Sequence, residues 1–452
     1  MNQPCVQRPL RPLVTFCLAL TLWPALALAD GVAPVKEGIF PSNRHTVPDF
    51  GNATQRRVQL PLPDCAVRPS DCADVAVINT LDGFSTQPRI TVPFTGDIDA
   101  ASVDSQSIYL LNLGDVLTQR GYGEQVGINQ VVWDVASKTL AFESDELLQE
   151  RSRYLLVVTN GVRDATGKKL KAIDTGSAAS DLPREVRDAL PLVRGGGRNV
   201  VAAAVFTTQS STGDLLNIQR AIKASTPAPA DFLVANAGTA RALFPVGNIA
   251  AIQFNRQTGV AAFTPGFVPT PALGLVPGAP NAVGHVAYGR YESPVYQNAL
   301  QVIAASPTLT GKPQAVGSQS LVFQLFLPSS PKPAGGWPVA LFGHGFTDSM
   351  YGAPWLVAGM FASKGIATLA INVVGHGGGA QGVLNVVPLA GAAAQVPAGG
   401  RGFDQDGNGT IDNTEGVNAA PPQAIVGSRD GLRQTVVDLM QLVRQVEVGM
   451  DV

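Results

Sequence analysis

The sequence predicts a multidomain protein in which a β-sandwich is followed by a partial parallel α/β sheet. Three observations lead to this prediction. The 452 residues are enough for two or three domains, each with its own core. Short strand-like runs recur between about residues 81 and 170. A strand–helix–strand pattern, typical of a parallel crossover, follows between about residues 321 and 374.

The composition excludes two broad classes of protein. Hydrophobic residues make up 45% of the chain and charged residues only 15%, which is not the composition of a disordered chain. The formal net charge is −2, so the sequence predicts no nucleic-acid partner.

The N-terminus has the pattern of a signal peptide at residues 1–29. Arg8 and Arg11 precede an apolar run at 13–28, and small residues fit the cleavage positions just before Asp30. We therefore expect a secreted, periplasmic or outer-surface protein. An uncleaved membrane anchor is the alternative, but a proline interrupts the short run. After cleavage we expect no transmembrane span.

The segment 30–80 is expected to be irregular because prolines recur along it. Cys65 and Cys72 lie close together within this segment. In an oxidising compartment they are expected to form a disulfide, and two free thiols are the alternative.

The segment 81–170 is predicted to form a β-sandwich. Its strand-like runs are 89–94, 107–111, 130–133, 139–142 and 154–159. The stretches LDGFSTQPRITVPFTGDIDAASV and RYLLVVTNGVRDATGKKL also resemble the bacterial Ig-like domains of secreted and surface proteins. That resemblance implies a spacer or a binding module, because a fold alone assigns no chemistry.

The segment 171–282 is predicted to be a connector of mixed helices and loops. Residues 182–190 and 214–224 have helical periodicity, and Thr212 is a candidate cap for the second helix. Residues 257–287 are rich in Gly, Pro and Ala and are expected to form a long loop.

The segment 283–452 is predicted to begin an α/β layer. We expect buried strands at 321–327, 339–342 and 366–374, a helix at 354–364 and a final helix at 426–446. The final helix is expected to be capped by Ser428. Its predicted buried stripe is Leu432, Val436, Leu439, Val443 and Val446.

Residues 404–415 match the EF-hand calcium loop at its diagnostic positions. The predicted ligands of a structural Ca²⁺ are Asp404, Asp406, Asn408, Thr410 through its carbonyl, Asp412 and Glu415. A solvated acidic turn is the alternative. The flanking residues are poor helix formers, so the loop is expected to act as a structural clip and not as a calcium sensor.

Two Gly-His-Gly turns, at 343–345 and 375–377, resemble loops of secreted bacterial α/β-hydrolases of the lipase and esterase type. The resemblance implies an oxyanion hole at the first turn, with Gly345 and Phe346 as candidates. The sequence contains no Gly-x-Ser-x-Gly, so no catalytic triad can be assigned.

These observations lead to one main expectation about function. The chain is expected to be the N-terminal portion of an exported serine carboxylic-ester hydrolase, inactive alone. It would act on an ester or lipid only if a C-terminal half completed it. One alternative is a non-enzymatic, secreted, calcium-binding surface or adhesion protein. Another is a protein whose sheet is completed by a second polypeptide.

Overall fold

The computed structural model describes residues 31–173, 182–193, 197–276 and 279–452. The predicted signal peptide at 1–29 lies outside the described residues. Within those four ranges, no helix is long and apolar enough to cross a membrane.

The N-terminal segment is more ordered than expected. It forms a hairpin of β1 (Thr46–Pro48) and β2 (Arg56–Val58), followed by helix α1 (Pro69–Ile78). Proline at the first helical position favours helix initiation, since its fixed φ suits the first turn. Cys65 and Cys72 form a disulfide across the start of this helix.

Two sheets then face each other as a β-sandwich. One sheet has the strand order β3-β7-β6 and the other β5-β4-β8-β9. The strands are β3 (Ile90–Pro93), β4 (Ile108–Asp115), β5 (Gln125–Val126), β6 (Ile128–Asp134), β7 (Thr139–Ser144), β8 (Ser152–Thr159) and β9 (Val200–Thr207). The predicted sandwich is confirmed.

Strand β8 shows how the sequence encodes this packing. Leu156 belongs to the core between the two sheets, whereas Leu155 and Val157 pack beneath helix α2 (Arg184–Ala189) on the outer face. A strand covered on both faces reads as a continuous apolar run. Strand β9 has the same character, so the sandwich extends into the segment that was expected to be a connector.

Helix α3 (Gly213–Ala224) follows and matches the predicted amphipathic helix. Ile218 and Ile222 are buried on its inner face. Thr212 occupies the predicted N-cap position, but its hydroxyl donates to Glu150 and makes no capping hydrogen bond with the helix.

The C-terminal part contains a five-stranded and a four-stranded sheet. The first has the order β10-β13-β14-β16-β15 and the second β12-β11-β17-β18. The strands are β10 (Leu243–Pro245), β11 (Ile249–Gln257), β12 (Phe263–Phe267), β13 (Val283–Val295), β14 (Gly317–Pro328), β15 (Val339–Leu341), β16 (Ala367–Ile371), β17 (Val383–Pro388) and β18 (Ala394–Pro397). The expected long loop at 257–287 is therefore wrong, since it includes β12 and the start of β13.

The five-stranded sheet contains one parallel pair. Strands β15 and β16 run parallel, and helix α4 (Ala353–Ala362) connects them as predicted. Strand β14 pairs antiparallel with both β13 and β16. The expectation of adjacent parallel strands across 321–374 is therefore wrong for β14, and the sheet is mixed.

Strand β15 lies at the edge of this sheet and not in its interior. Val339 and Leu341 are 37% and 36% exposed, although their apolar character predicted a buried strand. Only β16 flanks β15 among the described strands, so one edge of its backbone faces away from the sheet.

The buried face of helix α5 (Arg429–Val448) is largely polar, so the predicted apolar stripe is only partly buried. Leu439 and Val446 of that stripe pack against the core of the five-stranded sheet. Leu432, Val436 and Val443 of the predicted stripe are each 41% exposed. The buried positions include Asp430, Gln434, Asp438, Gln441 and Gln445. These polar side chains can be buried because several segments supply hydrogen-bond partners. Ser293 of β13 donates to Asp438, the Ile303 amide donates to Asp430, and the Ala228 carbonyl accepts from Gln445. Ser428 does not cap the helix through its side chain.

Candidate functional site

The predicted calcium loop brings three of its acidic side chains together. Asp404, Asp406 and Glu415 each offer a carboxylate oxygen within 4.8 Å of the others. Gly407 and Gly409 have φ angles of +76° and +87°, and this left-handed backbone permits the tight turn.

The environment of these carboxylates fits a hard cation. Asp404 accepts a hydrogen bond from the Gly409 amide at 2.9 Å through Oδ2. Its Oδ1 is shielded from solvent and accepts no hydrogen bond from the described part of the chain. Glu415 is fixed across the loop, since it accepts from the amides of Gln405 and Asp412. Three clustered carboxylates with an unused buried oxygen match the oxygen-rich ligand set that Ca²⁺ prefers.

The remaining predicted ligands do not all join the three clustered carboxylates. Asn408 Oδ1 accepts from the Thr410 amide at 2.8 Å, and its Nδ2 donates to Asp406. The Asp412 carboxylate does not belong to the three-carboxylate group. No helix directly adjoins the loop on either side within the described residues, as the poor helix formers there predict.

The loop is joined to the tip of the β11–β12 hairpin. The Ile411 amide donates to the Thr258 carbonyl at 2.9 Å, and the Val260 amide donates to the Gly409 carbonyl at 3.2 Å. Ordering of the loop is therefore coupled to the four-stranded sheet.

The first Gly-His-Gly turn follows β15 and differs from expectation. Gly343 and Gly345 have no positive φ, and a Cβ at either position would meet nothing within 4 Å. Thr347 instead takes the left-handed conformation, with φ of +71°. Phe346 is exposed, and neither its amide nor that of Gly345 donates a hydrogen bond within the described chain.

The second Gly-His-Gly turn follows β16 and does require glycine. Gly375, Gly377 and Gly378 have φ angles of +77°, +79° and +79°. A Cβ on Gly377 would lie 2.6 Å from Cγ of the buried Asn372. This turn is therefore fixed by backbone geometry that only glycine adopts without strain.

These two turns provide a matched pair of substitutions. We expect Gly377→Ala to destabilise the protein by at least about 1–3 kcal/mol, because it adds left-handed strain and a steric clash. Gly345→Ala should change the free energy of unfolding by less than about 0.5 kcal/mol. Urea unfolding monitored by tryptophan fluorescence measures both values. Equal effects would show that the second turn is not constrained as described.

The two turns bring two imidazoles together. The ring centroids of His344 and His376 lie 5.3 Å apart. The His344 Nε2 accepts from the Val373 amide, so its Nδ1 carries the proton and donates to the Gly345 carbonyl at 2.8 Å. The His376 Nδ1 donates to the Val374 carbonyl at 2.9 Å. Its Nε2 is buried and has no partner within the described residues.

This arrangement does not form a nucleophile–base pair. No serine hydroxyl in the described ranges donates to either imidazole. The hydroxyl of Ser349, close in sequence to the first turn, accepts from the Tyr351 amide. Activation of a serine requires a base within hydrogen-bond reach.

Burial lowers the pKa of both His344 and His376 from the ordinary value. An unfolded histidine titrates near pH 6.5, so the unfolded state binds more protons just below that pH. The stability contributed by the neutral rings is complete above about pH 6.5 and is lost as pH falls through the folded pKa values. We expect wild type to lose more stability between about pH 8 and about pH 5.5 than His344→Gln/His376→Gln. Urea midpoints measure this difference, and equal losses would contradict it.

A buried ion pair connects the segment before the calcium loop to α5. Arg401 donates to Asp438 at 2.7 Å and to the Asn372 carbonyl at 2.9 Å. The side chains of Arg401 and Asp438 are 9% and 0% exposed, respectively. Asp438 also accepts from Ser293, Gln319 and Gln434. Sequence reasoning missed this network because its members are far apart in the chain.

One family model matches part of the chain. Residues 73–178 match a bacterial Ig-like domain (Big_5). The match includes strands β3 to β8 of the sandwich, so the resemblance inferred from the sequence is confirmed for that domain. No curated protein matches the chain.

Three solved structures of a bacterial surface-layer protein, SbsC, show weak similarity. The N-terminal part of SbsC has 11% identity and a TM-score of 0.17, over 60% of this chain and 47% of that one. The structure of rSbsC(31-844) has 10% identity and a TM-score of 0.18, over 60% and 37%. Domains 1-6 of SbsC have 8% identity and a TM-score of 0.17, over 57% and 41%. This chain thus spans less than half of each, and at these scores we base no argument on them.

Proposed function

We propose that this chain is an exported or cell-surface protein whose described residues act as a binding and structural unit and not as a complete catalyst. The observation that carries the proposal is the bacterial Ig-like domain at 73–178. Such domains usually serve as spacers or binding modules. The signal-peptide pattern at 1–29 agrees with an extracytoplasmic location.

The geometry of the two Gly-His-Gly turns supports a non-catalytic role for the described residues. Both nitrogens of His344 are engaged by the backbone. Of the ring nitrogens of His344 and His376, Nε2 of His376 is unused, and it has no hydrogen-bond partner, serine hydroxyl or other, among the described residues. General-base catalysis needs the reacting proton within hydrogen-bond reach.

The calcium loop is proposed to be a structural clip. Asp404, Asp406 and Glu415 would hold Ca²⁺, with Asn408 and the Thr410 carbonyl close by in the same turn. The cation would neutralise clustered carboxylates and hold the loop against the β11–β12 hairpin.

A second candidate function is a portion of an ester hydrolase. One observation favours it: the two turns lie at the carboxyl ends of adjacent parallel strands, β15 and β16. Ligands of α/β sheets bind at that end. The free amides of Gly345 and Phe346 could then stabilise an oxyanion, and residues beyond the described ranges would have to supply the nucleophile.

The experiment that separates the two candidates is an ester assay of the purified chain. We expect no hydrolysis of short p-nitrophenyl esters above the buffer rate, because no activated serine is described. The Ser349→Ala variant is the control for a serine near the first turn. Turnover that a fluorophosphonate abolishes would favour the hydrolase candidate.

A further inference from the structure

A cleft of about 410 Å³, lined by both amide and apolar side chains, lies beside the segment that precedes the calcium loop. Its walls come from the end of β13, the start of β14, the turn after β16, and α5. This volume falls within the roughly 300–1,000 Å³ range of small-molecule sites. We propose that the cleft binds a neutral polyhydroxylated ligand, namely a sugar residue. The inference rests on the proposed binding function and names its ligand class.

Amide side chains give the cleft both donors and acceptors. Gln297, Gln301, Gln319 and Gln434 all line it. The Gln297 Nε2 donates to the Gln301 carbonyl and the Gln319 Nε2 donates to Asp438, which fixes both side chains. Neither Oε1 accepts a hydrogen bond from another described residue, so both can accept from a ligand. The side-chain amide of Gln301 also makes no hydrogen bond with another described residue, so it can donate and accept, as sugar hydroxyls do.

The charge of the cleft favours a neutral ligand. Arg401 lines the cleft, but its guanidinium is paired with buried Asp438 at 2.7 Å and bonded to the Asn372 carbonyl. An anion would have to compete with that carboxylate for the guanidinium. The Arg401 Nε donates to no described residue and can donate to a ligand hydroxyl.

An aromatic ring lies at the same cleft. Phe403 is 41% exposed and lines the site. A Cβ on Gly416 would lie 2.6 Å from Phe403 Cε1, so Gly416 gives the ring room to pack against the backbone. Gly416 follows the calcium loop directly and Phe403 precedes it. The ring offers an apolar face to the C–H groups of a sugar.

The cleft also adjoins the end of the sheet where ligands of α/β layers bind. Val374, which lines it, follows β16 at the carboxyl end of that strand. The position, the unused amide oxygens and the aromatic ring therefore point to the same ligand chemistry.

Saturation-transfer difference NMR of the full chain with glucose, galactose and N-acetylglucosamine tests the proposal. We expect transfer to at least one sugar, with affinity reduced roughly 5-fold by Phe403→Ala. Gln297→Leu should weaken binding by a similar factor. The matched control is Phe267→Ala, which removes an exposed ring on β12 and should leave binding unchanged. Thermal melting of each variant establishes that it is folded.

Three outcomes would overturn the inference. They are no transfer to any of the sugars, equal binding by folded Phe403→Ala, and binding of acetate or glucuronate in preference to neutral sugars. The last outcome would mean that Arg401 is available to anions. The two proposals fail in different experiments. If the proposed non-catalytic function is wrong, the chain will hydrolyse esters, whereas an error in the ligand class will appear only in the sugar titration.

Discussion

Arg401→Ala is expected to destabilise the protein by about 3–5 kcal/mol, because it leaves a buried carboxylate without its counter-charge. Asp438 is fully buried and would retain only neutral hydrogen bonds from Ser293, Gln319 and Gln434. The substitution also removes the bond to the Asn372 carbonyl, which anchors the turn after β16. Urea unfolding monitored by circular dichroism measures the loss.

The matched control is Arg290→Ala. Arg290 pairs with Asp231 at 2.8 Å, a distance close to that of the buried pair, but both side chains are exposed. Surface pairs contribute about 0–1 kcal/mol, so the control should lose little stability. If both variants lose a similar free energy of unfolding, burial of the Arg401–Asp438 pair is not the cause of the large loss in Arg401→Ala.

Calcium is expected to stabilise the protein by about 2.7 kcal/mol when its concentration is 100 times its dissociation constant. The physical reason is that Ca²⁺, as proposed, would bind the three clustered carboxylates of the folded loop and not the unfolded chain. Chelation should therefore lower the melting temperature. Asp404→Ala should lower it in calcium-containing buffer and remove the effect of the chelator. Differential scanning calorimetry with and without chelator measures both.

Asp164→Ala is the control for losing an aspartate from a turn. Asp164 also accepts backbone hydrogen bonds, from Thr166 and Lys168, but it does not belong to the carboxylate cluster. The chelator should shift this variant as much as wild type. If the chelator shifts neither wild type nor Asp164→Ala, the calcium proposal is wrong.

The sandwich could be predicted from the sequence because its signals are local. Strand β7 alternates between buried and half-buried residues, as a strand with one core face should. The pattern that predicts a calcium loop is also local, since all six predicted ligands lie within twelve consecutive positions, 404–415, and the calcium site itself stays a prediction.

The sequence-based predictions fail where segments that are distant in the chain determine which residues are buried. The apolar residues of β15 predicted a buried strand, but neighbours in the sheet determine whether a strand is covered. The sequence predicts that the apolar stripe of helix α5 is its inner face. Asp438 lies on the buried face instead, where it accepts hydrogen bonds from Ser293 and Arg401. These partners are separated from Asp438 by 145 and 37 positions, so no local pattern reveals them.

We propose that these residues form a binding and structural unit without an activated serine. Intact-mass spectrometry after incubation with a fluorophosphonate tests it most directly, because the reagent labels serines activated by a neighbouring base. We predict an unchanged mass for the calcium-loaded chain. Stoichiometric addition of one phosphonyl group to a serine would contradict the claim.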